Sequence, residues 1–302
     1  MLKYILPQDK IVSKELFTLA FPIILSNLSR VLMSVVDVAM VGRLGAAALA
    51  ATGMGAMIFW GALSLVIGIR TGVQTVASRR LGQKKYDQCG TAFHNGLLMA
   101  TVYGLPASIF GWLLAKDFIP FFINDIKATP LTVEYSSIVF LGLIFSSYSF
   151  VFQGFYTGIE KTKIHMKVSI TSNIINVYLN AGLIYGSEGV KLFFSETAPP
   201  FSFLSYLWQW TAFPAMGVKG AAIATLIASI WMLVHYGAYL FSKQIKSKFS
   251  VLSFTINGAM MNRQLRLAAP QGLQEMFIAV GWSMFYKIVG MIGLIELATT
   301  EL

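Results

Sequence analysis

Residues 20–52 read AFPIILSNLSRVLMSVVDVAMVGRLGAAALAAT, and residues 268–300 read AAPQGLQEMFIAVGWSMFYKIVGMIGLIELATT. Both stretches are apolar and long enough to cross a bilayer. Aligned without a gap, they share nine identical pairs: Ala20/Ala268, Pro22/Pro270, Leu25/Leu273, Val41/Val289, Gly42/Gly290, Gly45/Gly293, Leu49/Leu297, Ala50/Ala298 and Thr52/Thr300. Many secondary transporters are built from a large repeat of membrane helices, and the returning stretch predicts such a repeat. Because the second copy has only just begun at Leu302, we expect the chain to be cut short.

The composition excludes an ordinary soluble domain. Apolar residues make up 56% of the chain and charged residues only 12%, against about 25% charged in an average globular protein. Runs of roughly 20 apolar residues are long enough to span a membrane as helices. Seven such spans are predicted, at 16–41, 54–77, 93–115, 135–158, 166–186, 220–241 and 267–290, and an eighth opens near Ile295. The sequence therefore predicts an all-α integral membrane protein.

The basic residues indicate an orientation in the membrane. The net charge is +10, and the lysines and arginines concentrate in the N-terminal segment and in the loops after even-numbered spans. These residues are Lys3, Lys10, Lys14, Arg79, Arg80, Lys84, Lys85, Lys161, Lys163, Lys167, Lys243, Lys246, Lys248, Arg263 and Arg266. By the positive-inside rule, the N-terminus is predicted to be cytoplasmic in a bacterial inner membrane. We attribute the charge to topology and lipid attraction rather than to a nucleic-acid partner.

Five ionisable residues fall inside the predicted spans, and they are the first candidates for function. They are Arg30 and Asp37 in span 1, Arg70 in span 2, and Glu275 and Lys287 in span 7. A charge at the centre of a membrane helix costs about 2.5–3.5 kcal/mol on insertion scales, so it is rarely retained without a role. Asp37 is predicted to be either a coupling site or one half of a buried ion pair with Arg30 or Arg70.

Span 5 carries a stripe of amides, and span 6 offers small residues beside it. Asn173, Asn176 and Asn180 share one helix face at i, i+3, i+7 spacing. Such amides either bond a neighbouring helix or give carbonyl oxygens to a hard cation. In span 6, Ala221 lies among small residues that permit close helix approach, and Thr225 places a hydroxyl at depth.

Motifs for chemistry are missing from the sequence. There is no HExxH, no nucleophilic serine motif and no phosphate-binding GxxxxGK[ST], and the single Cys89 excludes an internal disulfide. His94, His165 and His235 lie near span ends and are interpreted as interfacial residues. We expect no enzyme activity, and no cofactor beyond a coupling ion. The aromatic connection at 187–218 is predicted to be an interfacial flap, or else a lid over a cavity.

Five motifs resemble the multidrug and toxic compound extrusion (MATE) family, and together they run along essentially the whole chain. These are FPIILSNLSRVLMSVVDVAMVGRLGAAALAA at 21–51, TGVQTVASRRLGQKKYD at 71–87, NIINVYLNAGLIYG at 173–186, FPAMGVKGAAIAT at 213–225 and PQGLQEMFIAVG at 270–281. The match covers about the first 60% of a family member. The resemblance implies a fold of two six-helix bundles and the export of organic cations or related amphiphiles, driven by H⁺ or Na⁺.

The resemblance also implies a cation site and a division of the chain. In members with such a site, helix 1 gives an Asp, which corresponds to Asp37 here. Helix 5 gives an Asn and, four residues later, an Asp, which correspond to Asn176 and Asn180. Helix 6 gives a Thr, which corresponds to Thr225, and a backbone carbonyl at the position of Ala221. Asn180 departs from that pattern by removing a negative charge. Some members carry a helix 7 glutamate at the position of Ile278, and here Glu275 lies one turn earlier. Asn173 and Glu275 are candidates for a second polar site.

The predicted domains are a six-helix bundle at 1–242, a cytoplasmic linker at 243–266 and the incomplete start of a second bundle at 267–302. We expect a monomer that handles a small amphiphilic or cationic substrate. Three alternatives stay open. They are a lipid-linked oligosaccharide flippase of the same superfamily, which is suggested by Arg30 and Arg70, an integral-membrane enzyme using Asp37 or Glu275, and an inactive truncated product.

Overall fold

The structure is a computed structural model that describes residues 10–197 and 199–300. Two points of the sequence analysis, Lys3 and the chain end at Leu302, lie outside the described residues. Within them the chain is helical and has no strand. The helices are α1 (Lys10–Gly42), α2 (Ala46–Gly82), α3 (Tyr86–Phe122), α4 (Ala128–Leu141), α5 (Leu143–Gly158), α6 (Thr162–Thr197), α7 (Val218–Leu240), α8 (Lys243–Phe249), α9 (Gly258–Ile292) and α10 (Leu294–Thr299), with a 3₁₀ helix at Pro199–Trp208.

The predicted spans map onto these helices, with one span broken. Five helices are long and apolar enough to cross a membrane, or six if α4 and α5, which meet at 49°, form one bent span. The bend lies at Gly142, whose N–H donates to the Val139 carbonyl at 2.8 Å in a tight three-residue turn. Span 5 corresponds to α6, which is not among the apolar six because its amides and hydroxyls make it more polar.

The two copies of the repeat form the same local structure. Each is a long helix followed by a second helix that begins directly after a glycine, Gly45 before α2 and Gly293 before α10; three residues separate α1 from α2, and one separates α9 from α10. The first turn closes identically, with Leu49 N–H to Gly45 C=O and Leu297 N–H to Gly293 C=O, both at 3.1 Å. Leu49 and Leu297 are buried in one apolar cluster. The helix predicted over 267–290 is thus present, and the two copies meet through equivalent residues.

Packing is organised around α2, which contacts α3, α4, α5 and α9, while α1 packs on α6 and α6 on α7. The helix faces away from these contacts are apolar and exposed, as lipid-facing surfaces must be. On α1 and α9 they include Phe17, Leu28, Val31, Val35, Phe277, Ile288 and Met291. Lys287 is one of the two ionisable residues of predicted span 7. It makes a cation–π contact with Phe121, in which the lysine Nζ lies 3.4 Å from the ring centroid.

The segment between α7 and α9 is more ordered than a linker. Residues 243–249 form α8, whose Ile245 and Phe249 are buried against the bundle. Asn257 caps α9, because its side chain accepts from the Met260 N–H at 2.9 Å. α9 therefore begins at Gly258, inside the predicted linker 243–266.

The aromatic connection at 187–218 folds back on α6, which is kinked at Gly186 (φ 75°). Trp208 donates its indole N–H to the Tyr178 carbonyl at 2.8 Å, and the two rings stack with centroids 5.1 Å apart. Ser187 donates to the Trp208 carbonyl at 2.6 Å. These contacts attach the 3₁₀ segment to α6, the helix that precedes it.

Two histidines and the cysteine are core residues, which corrects the interfacial interpretation for His94 and His165. His94 is 2% exposed and contacts the Val251 carbonyl through Nε2 at 2.8 Å, while His165 is 9% exposed. Cys89 is fully buried, and its Sγ lies 3.4 Å from the Ala77 carbonyl. The segment 250–257, which leads into α9, covers His94 and the cluster of Cys89, whereas His165 is buried between α5 and α7.

Two glycines one turn apart on α2 let α9 approach to backbone contact. A Cβ at Gly68 would collide with the Ala268 carbonyl oxygen, and one at Gly72 would lie 2.6 Å from the Gln264 carbonyl oxygen. Gln264 is fully buried and donates to the Ala92 carbonyl at 2.8 Å. The crossing of α2 and α9 thus depends on small residues, as is common between membrane helices.

We expect Gly72→Ala to lower the free energy of unfolding by about 1–3 kcal/mol, because the added methyl group must push two packed backbones apart. The matched control is Gly237→Ala, since a Cβ at Gly237 meets nothing within 4 Å. The measurement is thermal unfolding of the purified protein in detergent. Equal stability of the two variants would contradict the close crossing.

Candidate functional site

Asp37 lies where α1 packs on α6, facing the amide stripe. Asn180 donates its Nδ2 to Asp37 Oδ1 at 2.6 Å and to Asn176 Oδ1 at 2.9 Å. Asn176 is 1% exposed and Asn180 2%. The i, i+4 spacing on α6 puts both amides on one face, so the predicted neighbours of Asp37 are brought together.

A cavity of about 150 Å³ opens beside Asp37 and Asn180, and Ala221 and Thr225 of α7 line it. Thr225 donates its hydroxyl to the Ala221 carbonyl at 3.0 Å. The further polar lining comes from Ser34, Thr52 and Tyr135, none of which was singled out from the sequence. α1, α2, α4, α6 and α7 therefore enclose one polar pocket with a single carboxylate.

The carboxylate and the amides of the pocket are joined by hydrogen bonds. The carboxylate already accepts a bond from the Asn180 amide, and the Asn176 oxygen is used by the same amide. Asn180 Oδ1 and Asn176 Nδ2 are buried with no hydrogen-bond partner. A hard cation needs several oxygens directed at it, and here the group directed at Asp37 is an N–H donor, so Na⁺ requires the amides to turn over.

No ion pair of Asp37 with Arg30 or Arg70 is found in the part of the chain that the structure describes. The one ion pair found among residues 10–197 and 199–300 joins Lys219 and Glu134 at 3.7 Å. Arg30 and Arg70 line a different cavity, of about 200 Å³. Arg30 lies two helical turns before Asp37, about 10 Å along the helix, which places it at another level of the bundle.

The second predicted polar pair is not assembled. Asn173 lines the cavity that contains Arg30 and Arg70, and its Nδ2 donates to Ser29 Oγ at 2.8 Å. Glu275 accepts from Gln271 Nε2 at 3.1 Å within α9 and does not line that cavity. Gln153, His165 and Tyr236 line that cavity instead and form a hydrogen-bonded chain with Arg70. Of these three residues, only Gln153 could have been noticed in the sequence, because it is an isolated polar residue in an apolar run.

Comparison with known proteins decides the family. A family model described as MatE matches residues 22–181, more than half of the chain. The chain belongs to the MATE family. The match includes Asp37 and the whole amide stripe, and the predicted membership is confirmed.

Curated relatives of this MATE-family chain carry the name "Probable multidrug resistance protein NorM". The protein from Photorhabdus laumondii is 31% identical over 183 residues, which cover 59% of this chain and 39% of the relative. The protein from Thermotoga maritima is 21% identical over 97% of this chain and 58% of its own length. The chain thus spans about two-fifths to three-fifths of the relatives that it matches.

Solved structures show the same fold. A MOP superfamily transporter from Pyrococcus furiosus, described as having a binding pocket of reverse polarity, matches with a TM-score of 0.74 and 20% identity over 90% of this chain and 54% of its own. An inward-facing multidrug resistance MATE family transporter matches with a TM-score of 0.73 and 19% identity over 95% of this chain and 60% of its own. This helical chain is therefore a multi-pass membrane protein with the MATE fold.

Proposed function

We propose that the protein is a secondary active efflux transporter that exports organic cations or related amphiphiles in exchange for H⁺. The observation that carries the proposal is the contact of Asp37 with Asn180 at 2.6 Å inside a polar cavity. The names of the NorM relatives support multidrug export. The residues in the pocket offer one group that exchanges a proton and no constellation for bond-breaking chemistry.

The proposed mechanism uses Asp37 as the group that changes charge. When Asp37 is ionised, the Asn180 amide stabilises the carboxylate. When it is protonated, that bond weakens and the packing of α1 on α6 is free to change. A proton and a substrate that prefer different conformations are sufficient for alternating access. In this scheme Asn176 holds the Asn180 amide in place, and Thr225 and Ala221 close the pocket from α7.

The test of the proposal is accumulation of a fluorescent organic cation by bacteria that lack their own exporters. Cells producing the full-length protein are expected to hold several-fold less dye than cells carrying an empty vector. A protonophore is expected to remove the difference, because the proton gradient drives export. Equal accumulation with and without the protein, measured at confirmed expression, would contradict the proposal.

We propose that the protein lies in a bacterial inner membrane with its N-terminus in the cytoplasm, following its charge bias. Since Cys89 is buried, the natural protein is expected to resist a membrane-impermeant thiol reagent from both sides. Gln83→Cys, in the exposed connection after α2, should react only after the cells are opened. Ile126→Cys, at a position that is 94% exposed after α3, should react in intact cells. The opposite labelling pattern would reverse the orientation.

A further inference from the structure

The cavity of Arg30 and Arg70 is a second polar site inside the bundle, separate from the Asp37 pocket. It is enclosed by α1, α2, α5, α6 and α7 and has a volume of about 200 Å³. Its polar lining includes Gln153, His165 and Asn173, and none of its lining residues is acidic. The bundle thus contains one pocket with a carboxylate and another with two cations.

Arg70 is a partly buried cation whose bonding is incomplete. Its Nε is buried without a hydrogen-bond partner, and its Nη1 reaches only the Gln153 oxygen, at 3.5 Å. Its guanidinium lies 5.7 Å from the centroid of the Phe150 ring. Glu275 acts on the charge from a distance, but the two form no ion pair among the described residues. Because arginine does not lose its proton in proteins, this cation inside a membrane protein stays without a close counter-charge.

A second unpaired donor opens on the same cavity. The Ser149 hydroxyl is 3% exposed as a residue, lines the cavity and has no hydrogen-bond partner. Buried polar groups are nearly always paired. Arg70 and Ser149, each of which carries an unsatisfied donor, therefore line the same basic cavity.

A hydrogen-bonded chain of Gln153, His165 and Tyr236 lies beside Arg70. The Gln153 oxygen accepts from Arg70, and Gln153 Nε2 lies 2.9 Å from His165 Nε2. His165 Nδ1 lies 2.6 Å from Tyr236 Oη, and Tyr236 is 1% exposed. If the amide donates to the imidazole, His165 is neutral with its proton on Nδ1, an assignment that follows from the network. The chain then offers no negative group to Arg70.

We propose that this cavity binds the acidic group of an amphiphile, a carboxylate or a phosphate, through Arg70 and Ser149, with Arg30 adding positive charge. Arginine binds the planar oxygens of such groups well. A complete ligand pocket measures about 300–1,000 Å³, so this smaller cavity takes the acidic end of a larger molecule. The inference goes beyond the proposed efflux of cations and does not depend on coupling at Asp37.

The test is equilibrium binding to the purified full-length protein in detergent. Two probes share a dansyl group and an alkyl chain, and one ends in a carboxylate while the other ends in a trimethylammonium. The wild type is expected to bind the carboxylate probe, and Arg70→Gln should leave binding of the trimethylammonium probe unchanged. Arg70→Gln should weaken that binding by about 10–100-fold, as for loss of a charged hydrogen bond, and Ser149→Ala should weaken it less.

The controls separate this site from others. Arg79→Gln removes an exposed arginine outside the cavity, so it should bind the carboxylate probe normally. Arg70→Lys, which keeps the charge, should bind better than Arg70→Gln. Displacement by short-chain phosphatidylglycerol would assign the site to a lipid headgroup, and displacement by decanoate alone would assign it to soluble acids. Absence of carboxylate binding by the wild type, or unchanged carboxylate binding by a folded Arg70→Gln protein, would overturn the proposal.

Discussion

Asp37→Asn is expected to abolish proton-coupled efflux and raise dye accumulation to the level of cells without the transporter. The substitution is nearly isosteric and keeps an oxygen that accepts from the Asn180 amide. It removes the one carboxylate that lines the pocket, and with it the group that exchanges a proton. The fold should survive, because an amide is less costly to bury than a charge.

Ser34→Ala is the matched control for Asp37→Asn, since Ser34 lies on the same helix and lines the same cavity. It should reduce export little. Helix content and the elution volume in gel filtration check that both variants fold. Full efflux by a well-expressed Asp37→Asn protein would remove Asp37 from the coupling mechanism.

Asn180→Asp is expected to make transport strongly dependent on Na⁺. The new carboxylate would lie at the position of an amide nitrogen that is 2.6 Å from Asp37 Oδ1. Two carboxylates so close cannot both stay ionised without a cation or a shared proton. The amide donor that opposes a metal ion would also be gone, and the Asn176 oxygen would be released from it.

Asn173→Asp is the matched control for Asn180→Asp, because it adds the same charge to α6 in the other cavity. The measurement is dye export from membrane vesicles over a range of Na⁺ concentrations at fixed pH. Na⁺ should stimulate the Asn180→Asp protein and leave the wild type and Asn173→Asp nearly unchanged. Na⁺ dependence of the wild type equal to that of Asn180→Asp would contradict proton coupling.

The features that the sequence predicted are those that depend on helix periodicity. The amide stripe is one example, because Asn176 and Asn180 must share a face in any helix. The repeat is another, because Gly45 and Gly293 recur in register and each begins a new helix. The family resemblance predicted that Asp37 lies close to this stripe. Periodicity alone could not predict the contact, because it depends on the packing of α1 on α6.

The features that sequence reasoning missed depend on contacts between distant elements. Gln153, His165 and Tyr236 come from three helices, and only packing joins them to Arg70. The burial of Cys89 follows from contacts with Ala77 and with the apolar cluster that includes Phe249. No local periodicity records such neighbours, which is why His165 was interpreted as interfacial and Gln153 and Tyr236 were not singled out.

The most direct test of the central claim, that Asp37 couples export to a proton, is proton release on substrate binding. The purified full-length protein is mixed with an organic cation in a weakly buffered solution, and the pH change is followed. Reciprocal linkage between substrate and proton predicts release of up to about one proton per wild-type molecule and none from Asp37→Asn. Equal release from both proteins, or no release from the wild type at saturating substrate, would contradict the account.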